Sequence, residues 1–310
     1  MLKSNLTLII PQYNDWDCSN RLFQEIDLLV SQSDLGQVSV VLVDDHSLEE
    51  RFFEKERYPN LTISIIRLVK NMGHQRAIAT GLCYAYENIQ SEWVGVMDSD
   101  GEDKPQELFR LLAEAKSQNS SVFAKRSKRS EGFVFRVFYL LYKFIFQLLC
   151  DHRVNFGNFS VIKGSVVKSL VHESNLWNNY AIAFLKLKIP FNRLPTVRGK
   201  RYQGESKMNF TQLIIHGLSG IAIFADIVTT RIILFSLTSI LFSLLGIVIV
   251  VGIRFTTNMA IPGWATYSVL ALAILLFQAI LISFFTLFIF LSNRSSLGIT
   301  PVKEYKTFVE

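Results

Sequence analysis

The 310-residue sequence has few cysteines, and they form no recognisable pattern. Cys18, Cys83 and Cys150 are far apart and odd in number, so they indicate neither a disulfide framework nor a cysteine metal site. A chain without structural disulfides fits a reducing compartment such as the cytosol. The N-terminal segment 1–5 also lacks a basic region followed by a signal-type apolar stretch. We therefore expect the region that follows to stay on the cytoplasmic side.

Nucleotide-binding loops of the common kinds are also absent. The stretch from Gly73 to Gly81 has neither phosphate-loop nor dinucleotide spacing, which disfavours ATP and NAD chemistry. The net charge of +6 could suggest nucleic-acid binding, but the positive residues cluster beside long apolar segments. We therefore expect no nucleic-acid partner.

Charge is almost absent near the C-terminal end. Between Arg231 and Arg294 the only charged residue is Arg254. The apolar runs Ile232–Ile253 and Tyr267–Leu291 are each long enough to cross a hydrocarbon core of about 30 Å. Because Lys and Arg favour the outer flanks over the connecting loop, both ends should be cytoplasmic. The sequence predicts a multi-pass hairpin anchor in the inner (cytoplasmic) membrane.

Two further segments are predicted to lie on the membrane surface. Phe133–Cys150 is nearly long enough to span, but its Arg136, Lys143 and Gln147 share one helical stripe. Such a stripe suits an interfacial helix. A crossing helix is the alternative, and it would put the flanking motifs in different compartments. Asn209–Val228 is predicted as a second surface helix that leads into the first span.

The N-terminal part alternates short β-branched runs with helical periodicity. The predicted strands are Leu6–Ile10, Val38–Val43, Leu61–Leu68 and Trp93–Met97. The predicted helices include Asn20–Val30, Gln75–Ile89 and Pro105–Lys116. Apolar strands that alternate with helices indicate an α/β domain with a mostly parallel sheet.

Carboxylates follow three of these strands. Asp15 comes after the first strand, Asp44 and Asp45 after the second, and Asp98 and Asp100 after the fourth. Ligands of parallel sheets bind beyond the carboxyl ends of the strands. Any one aspartate could instead cap a helix. Three strands that deliver carboxylates to one edge favour a binding site.

Asp98 and Asp100 are the candidate metal ligands. Separated by one residue, they can face a single ion if the chain turns there. Oxygen ligands favour Mg²⁺ or Mn²⁺, which usually also coordinate phosphates. Such a metal neutralises charge that develops as a nucleoside diphosphate departs.

Five motifs in order resemble glycosyltransferase family 2. They are PQYND (11–15), DDHS (44–47), NMGHQRAIATGL (71–82), MDSDGEDKPQEL (97–108) and RYQGESK (201–207). The resemblance is to the polyprenyl-phosphate glycosyltransferases in particular, a group with dolichol-phosphate mannose synthase and bacterial bactoprenol glucosyltransferases. It covers roughly residues 5–225, and a two-span tail matches the bacterial members.

The resemblance implies a GT-A nucleotide-sugar-binding fold and assigns roles to residues. The nucleotide would be bound by Pro11, Tyr13, Asp15, Asp44, Asp45 and Asp98. Asp98 and Asp100 would hold the metal and diphosphate, and Asp103 would lie near the sugar. The family more often has Glu where Asp15 stands.

The resemblance also implies a phosphate site at the membrane edge, where Arg201 and Lys207 would bind the acceptor phosphate. Arg126 lies in a basic run before the predicted interfacial helix and is expected to attract the lipid surface and to add a phosphate contact. Arg forks onto phosphate oxygens and Lys adds a point charge. The alternative is that these residues contact anionic lipid head groups.

Asn158 departs from the family pattern, which often has Asp in a Gly-Asp-Phe-Arg motif where this chain has Gly157-Asn158-Phe159-Ser160. An amide cannot act as a general base, which would hinder attack by a sugar hydroxyl. A phosphate monoester has a second pKa of about 6 and needs no such base. We therefore expect Asn158 to orient the acceptor or the sugar.

These features predict an enzyme that transfers one sugar from a UDP- or GDP-linked donor to polyprenyl phosphate. The reaction is expected to depend on a metal and to invert the configuration at the anomeric carbon. One alternative is a processive polysaccharide synthase component, although the Gln-x-x-Arg-Trp pattern is missing and two spans are few. Another is a catalytically silent membrane scaffold. The predicted regions are a catalytic core (1–130), an acceptor-side region (131–230), two spans (231–294) and a cytoplasmic tail (295–310). The sequence leaves open whether the chain forms a homo-oligomer.

Overall fold

The computed structural model describes residues 2–49, 57–126, 146–150, 156–203, 218–257, 263–295 and 298–310. The chain divides into two compact units. One contains all seven strands together with the segment 298–310, and the other contains the two long apolar helices.

The first unit is built on one seven-stranded sheet. Its strands are β1 (Leu2–Gln12), β2 (Val38–Asp44), β3 (Leu61–Arg67), β4 (Ile89–Val96), β5 (Ser121–Arg126), β6 (Ser160–Lys163) and β7 (Phe191–Thr196). Their order across the sheet is β3-β2-β1-β4-β6-β5-β7. The pairs β1–β2, β1–β4, β2–β3 and β5–β7 are parallel, and β6 is antiparallel to both neighbours. The predicted mostly parallel sheet is confirmed.

Helices cover both faces of the sheet because its strands are apolar on both sides. They are α1 (Trp16–Ser31), α2 (His74–Asn88), α3 (Pro105–Gln118), α4 (Gly164–Val171) and α5 (Tyr180–Lys186). In β1, Leu8 and Ile10 face a core shared with Leu22 and Leu108, whereas Ile9 faces the opposite core. Every residue of β2 is buried.

The sequence predicted strands β1 to β4 and missed β5, β6 and β7. All four predicted strands are present, with β1 and β4 extended toward the N-terminus. β6 has only four residues, and the exposed positions of β7 break its apolar pattern. Short strands inserted between long connections carry too little periodicity to be identified.

The second unit contains α6 (Ala225–Thr256) and α7 (Trp264–Ser295), which pack against each other. Each predicted span lies within one of these helices. A helix of this length extends about 48 Å, which exceeds a hydrocarbon core. By length and composition both could cross a membrane. Their exposed side chains are large and apolar, for example Phe235 and Phe284.

A glycine lets the two apolar helices approach closely. A methyl group at Gly246 would lie 3.0 Å from Leu272 Cδ1, whereas Gly252 has no neighbour within 4 Å. Gly246 therefore contributes to packing inside the hairpin, and the pair of glycines does not form one contact face.

Both predicted surface helices fall largely outside the described residues. Of Phe133–Cys150, residues 146–150 are described and helical, and of Asn209–Val228, residues 218–222 are helical and residues 225–228 are the start of α6. Lys207 also lies outside the described part, and only the backbone of Arg126 is described. The predictions for these residues stay predictions.

A close contact between α2 and the sheet generates a stability test. A Cβ at Gly81 would lie 2.5 Å from Ile9 Cγ2 and 2.9 Å from Val43 Cγ2. Alanine normally favours a helix over glycine, but overpacking a core costs about 1–3 kcal/mol. We expect Gly81→Ala to lower the melting temperature of the purified protein by several degrees.

Gly252→Ala is the control, since it makes the same change in a helix with open space around the site. It should leave the melting temperature unchanged or raise it slightly. Equal melting temperatures for Gly81→Ala and the wild type would contradict the close approach of α2 to β1 and β2.

Candidate active site

The loops after β1 and β2 are bonded to each other at the carboxyl edge of the sheet. The Asp45 N–H donates to the Gln12 carbonyl at 2.9 Å, and the Asn14 N–H donates to Ser47 Oγ at 2.8 Å. Asn14 Oδ1 accepts from the Leu48 N–H at 2.8 Å. Asn14 has a φ of 52°, a left-handed conformation that Asn tolerates better than most residues. The predicted nucleoside-binding motifs therefore form one surface, with Pro11 buried at its base and Tyr13 partly exposed.

Asp44 and Asp45 are both buried and have different bonding patterns. Asp44 Oδ1 accepts from Gln12 Nε2 at 3.0 Å, from the Ser47 N–H at 3.2 Å and from Ser47 Oγ. Asp45 accepts the Met72 N–H at 2.6 Å through Oδ1 and the Gly73 N–H at 2.8 Å through Oδ2. Asp45 thus ties its loop to the segment before α2. Burial raises its pKa, although these two backbone bonds act in the opposite direction.

The segment after β4 turns sharply, as the metal prediction required. Gly101 has a φ of 85°, in the region that favours glycine. Asp103 Oδ2 accepts the Asp98 N–H at 3.1 Å, and Asp100 Oδ1 accepts the Glu102 N–H at 2.9 Å. Neither Asp98 nor Asp100 caps α3, because its N-cap is Lys104. Helix capping therefore does not explain the Asp-x-Asp pair.

Arg201 joins the turn after β4 to the loop after β1. Its Nη2 donates to Asp15 Oδ2 at 2.9 Å, and its Nη1 lies 3.7 Å from Asp100 Oδ2. Asp15 is the N-cap of α1, yet it makes no side-chain capping bond. The Tyr202 N–H donates to the Asp100 carbonyl at 2.9 Å, which fixes the Arg201 segment beside the turn. Arg201, predicted at an acceptor-phosphate site, thus lies among carboxylates predicted for the donor.

His74 connects the turn after β4 to Asn158, a contact that the sequence did not reveal. His74 Nε2 lies 3.3 Å from Asp98 Oδ1 and 3.2 Å from Asn158 Nδ2. His74 belongs to no catalytic motif in the sequence, but it begins α2 and lies against Asp98. Partial burial lowers the pKa of His74, and the carboxylates of Asp98, Asp103 and Asp100 outweigh this effect and raise it.

The two carboxylates of the Asp-x-Asp pair disfavour each other's charge. Burial, followed by the negative charge of Asp98, raises the pKa of Asp100 to about 6. The Glu102 N–H and the Arg201 guanidinium lower it, but less strongly. A nearby cation would therefore stabilise the ionised form of Asp100.

The described residues contain no group of three or more His, Cys, Asp or Glu side chains that could hold a metal ion unaided. A carboxylate pair is nevertheless what Mg²⁺ commonly uses when substrate phosphates supply further ligands. The raised pKa of Asp100 and the oxygen donors of the pair fit a hard divalent cation.

The chain matches a known protein family and several named relatives. The family model described as Glycosyl transferase family 2 matches residues 7–175. The chain is 25% identical over 279 residues to a protein named uncharacterized glycosyltransferase YkcC of Bacillus subtilis (strain 168), covering 86% of this chain and 82% of the relative. It is 26% identical over 219 residues to a protein named undecaprenyl-phosphate 4-deoxy-4-formamido-L-arabinose transferase of Edwardsiella ictaluri. That match covers 67% of this chain and 64% of the relative.

Among solved structures, the chain is similar to a glucosyl-3-phosphoglycerate synthase from Mycobacterium tuberculosis. That protein was crystallised with Mn²⁺, UDP-glucose and phosphoglyceric acid. The TM-score is 0.48 at 12% identity, and the match covers 72% of this chain and 79% of the other.

The repulsion at Asp100 generates a stability test. Its pKa is raised in the folded protein, so the native state binds more protons than the unfolded state between about pH 4 and pH 6. Stability therefore falls as the pH rises through this window, and ionised Asp100 is unfavourable above it. Asp100→Asn keeps an oxygen for the Glu102 N–H and removes the charge. Without divalent metal at pH 7.5, we expect it to stabilise the protein by about 1 kcal/mol, discounted for screening by solvent.

At about pH 3.5 the stability difference should largely disappear, because Asp100 is then mostly protonated in both the folded protein and the unfolded chain. Asp34→Asn, in an exposed turn, is the control and should change stability at neither pH. Thermal unfolding in chelator at both pH values measures the effect. A less stable Asp100→Asn variant at pH 7.5 would refute the repulsion.

Proposed function

Because the chain belongs to glycosyltransferase family 2 and is thus a nucleotide-sugar transferase, we propose that its acceptor is a polyprenyl phosphate at the cytoplasmic membrane face. A single sugar passes from a UDP- or GDP-linked donor, with metal dependence and inversion at the anomeric carbon. The observation that carries this proposal is the position of Arg201. It places a phosphate-binding type of side chain between Asp15 and Asp100.

In this proposal the first two loops hold the donor nucleoside. Asp44 accepts an N–H from the base through Oδ2, because its Oδ1 already receives donors from Gln12 and Ser47. Asp45 acts on the pocket indirectly by fixing the backbone of Met72 and Gly73. Pro11 and Tyr13 form the surface of the pocket.

Asp98 and Asp100 would hold Mg²⁺ or Mn²⁺, which supplies positive charge to the departing diphosphate. The chain's own contribution is to fix the two carboxylates. Asp103 binds the Asp98 backbone, Glu102 binds Asp100, and His74 contacts Asp98. Asp103 therefore acts first as a support of the turn, and its predicted place near the sugar is part of the same proposal.

The acceptor's phosphate carries out the attack. One phosphate oxygen forms a bond to the anomeric carbon from the side opposite the diphosphate, and the bond from that carbon to the diphosphate oxygen breaks. The electron pair leaves with the nucleoside diphosphate, and the configuration inverts. Because the attacking oxygen carries no proton near neutral pH, no general base is required. Arg201 orients the acceptor phosphate and screens its repulsion from the donor phosphates.

Three observations support a lipid phosphate as the acceptor. Asn158 reaches the site through His74, and an amide can orient a phosphate or a sugar hydroxyl without removing a proton. The two apolar helices give the chain a means of membrane association. The name of the relative from Edwardsiella ictaluri states an undecaprenyl-phosphate acceptor for that protein. Arg126 and Lys207 belong to the same proposed phosphate site.

An assay in detergent tests this proposal. The purified full chain is incubated with polyprenyl phosphate, Mn²⁺ or Mg²⁺, and a panel of labelled UDP- and GDP-sugars. We expect label in a chloroform-soluble product that requires metal. Asp100→Ala should reduce its formation by about a hundredfold or more, because removal of a charge-stabilising group commonly has such an effect.

Asp34→Ala is the matched control, since Asp34 is an exposed aspartate and should retain wild-type activity. A water-soluble labelled polymer would point instead to a polysaccharide synthase. Absence of product with every donor would favour a silent scaffold. A product that forms equally well in Asp100→Ala would contradict the roles given to the Asp-x-Asp pair.

A further inference from the structure

The segment that follows the second apolar helix in the chain adds to the edge of the sheet. Residues 298–310 form a short helix α8 (Pro301–Glu304), a 3₁₀ turn (Tyr305–Phe308) and a β-bridge. Val309 pairs antiparallel with Leu68, just beyond edge strand β3. The Val69 N–H donates to the Phe308 carbonyl and the Glu310 N–H to the Arg67 carbonyl, both at 3.0 Å. We call residues 298–310 the strap.

The strap is also attached to α2. Tyr305 is buried, and its hydroxyl donates to Glu87 Oε2 at 2.6 Å. Lys306 Nζ lies 2.7 Å from the same oxygen. The bonds from Lys306 and Tyr305 lower the pKa of Glu87. Phe308 packs edge-on against Trp177, with ring centroids 5.8 Å apart. Together these contacts give the strap a defined position on the α/β unit.

At its end, the strap places a carboxylate beside the loop after β2. Glu310 Oε2 lies 3.4 Å from Arg67 Nε, and Glu310 Oε1 lies 3.7 Å from His46 Nδ1. Arg67 Nη2 in turn donates to the Ser47 carbonyl at 3.3 Å. His46 Nδ1 is 3.0 Å from the Leu68 carbonyl. Glu310 therefore contacts two side chains, Arg67 and His46, that help to link the loop after β2 to the segment around the end of β3.

Both stretches adjoin the proposed nucleoside pocket. Asp44 ends β2 and Asp45 follows it, and Asp45 binds the backbone of Met72 and Gly73 in the second stretch. His46 has a φ of 61°, a conformation unusual for a residue with a side chain. Contacts that hold His46 in place therefore also hold the carboxylates next to it.

We propose that the strap is a positioning element for the donor nucleotide and that Glu310 is its positioning residue. Glu310 holds Arg67 and His46, and these side chains keep the two stretches of the pocket in register before the nucleotide arrives. This inference rests on the proposed function, because it takes the pocket to be that of a nucleoside diphosphate. It adds a role for a segment that no binding motif covers.

The expected effect is on binding of the donor and not on the chemical step. A loop that is ordered before binding loses less conformational entropy when the ligand arrives, so affinity rises. A partly exposed ion pair contributes modestly, and the side chain of Glu310 is 46% exposed. Loss of its charge should weaken nucleotide affinity about twofold to fivefold. The turnover number at saturating donor should stay unchanged, because the Asp-x-Asp turn is untouched.

The simplest variant is Glu310→Gln in the 310-residue chain. Its exposure means that the variant should fold, which the melting temperature verifies. Calorimetric titration with UDP or GDP in the presence of Mn²⁺ gives the affinity, and donor kinetics separate KM from kcat. Hydrogen exchange of the peptide covering residues 68–73 reports the order of the second stretch. We expect weaker binding, a raised KM, constant kcat and faster exchange.

Two further variants make the test specific. Glu304→Gln removes a carboxylate from the same segment, six positions from Glu310, and should bind nucleotide as the wild type does. Arg67→Gln removes the partner of Glu310. Because Glu310 acts partly through Arg67, the double variant Arg67→Gln/Glu310→Gln should lose less affinity than the sum of the two single losses, whereas strictly additive losses would contradict the coupling.

The outcomes distinguish a failure of the strap's proposed role from a failure of the proposed function. If the wild type binds UDP or GDP and Glu310→Gln binds it equally well with the same exchange rates, the strap merely covers a sheet edge and the inference is wrong. Equal weakening in Glu304→Gln, or a loss of kcat with unchanged KM, would also overturn it. If the wild type binds no nucleotide at all, the proposed function fails and the inference fails with it.

Discussion

Repulsion between two carboxylates in one partly buried turn is the constraint on which the site depends. Asp98 and Asp100 follow β4, and burial together with their mutual repulsion raises the pKa of Asp100 to about 6. Other elements of the fold hold this unfavourable arrangement in place. Asp103 and Glu102 fix the turn from within, while Arg201 and His74 approach it from distant parts of the chain. Functional sites commonly retain such unfavourable charge because a ligand relieves it.

The sequence could predict the parts of the fold that repeat a simple pattern. Long apolar strands alternating with helices indicated the parallel half of the sheet, and unbroken apolar runs indicated α6 and α7. The carboxylates at the strand ends followed from the same pattern, because parallel strands share one carboxyl edge. Strand β6 was missed because four residues carry almost no periodicity, and it alone reverses the direction of the sheet beside β4.

Contacts between distant residues could not be predicted from sequence periodicity. Arg201 binds Asp15 across 186 positions, so its place among the donor-side carboxylates required the folded chain. His74 is an ordinary polar residue in the sequence, and only the structure brings it to Asp98 and Asn158. The strap has no motif either, since its bridge to Leu68 is a single residue pair. Motif order identified the family, whereas the connections between motifs came from tertiary structure.

We propose that Asp98 and Asp100 bind a divalent cation jointly with the donor diphosphate. Electron paramagnetic resonance of Mn²⁺ measures this directly, by titrating the metal into the protein with and without UDP or GDP. If the claim holds, Mn²⁺ binds weakly alone and more tightly with the nucleotide, because each ligand then strengthens the other. Asp98→Asn and Asp100→Asn should abolish this coupling. Nucleotide binding that is indifferent to Mn²⁺, or coupling that survives both substitutions, would contradict the account.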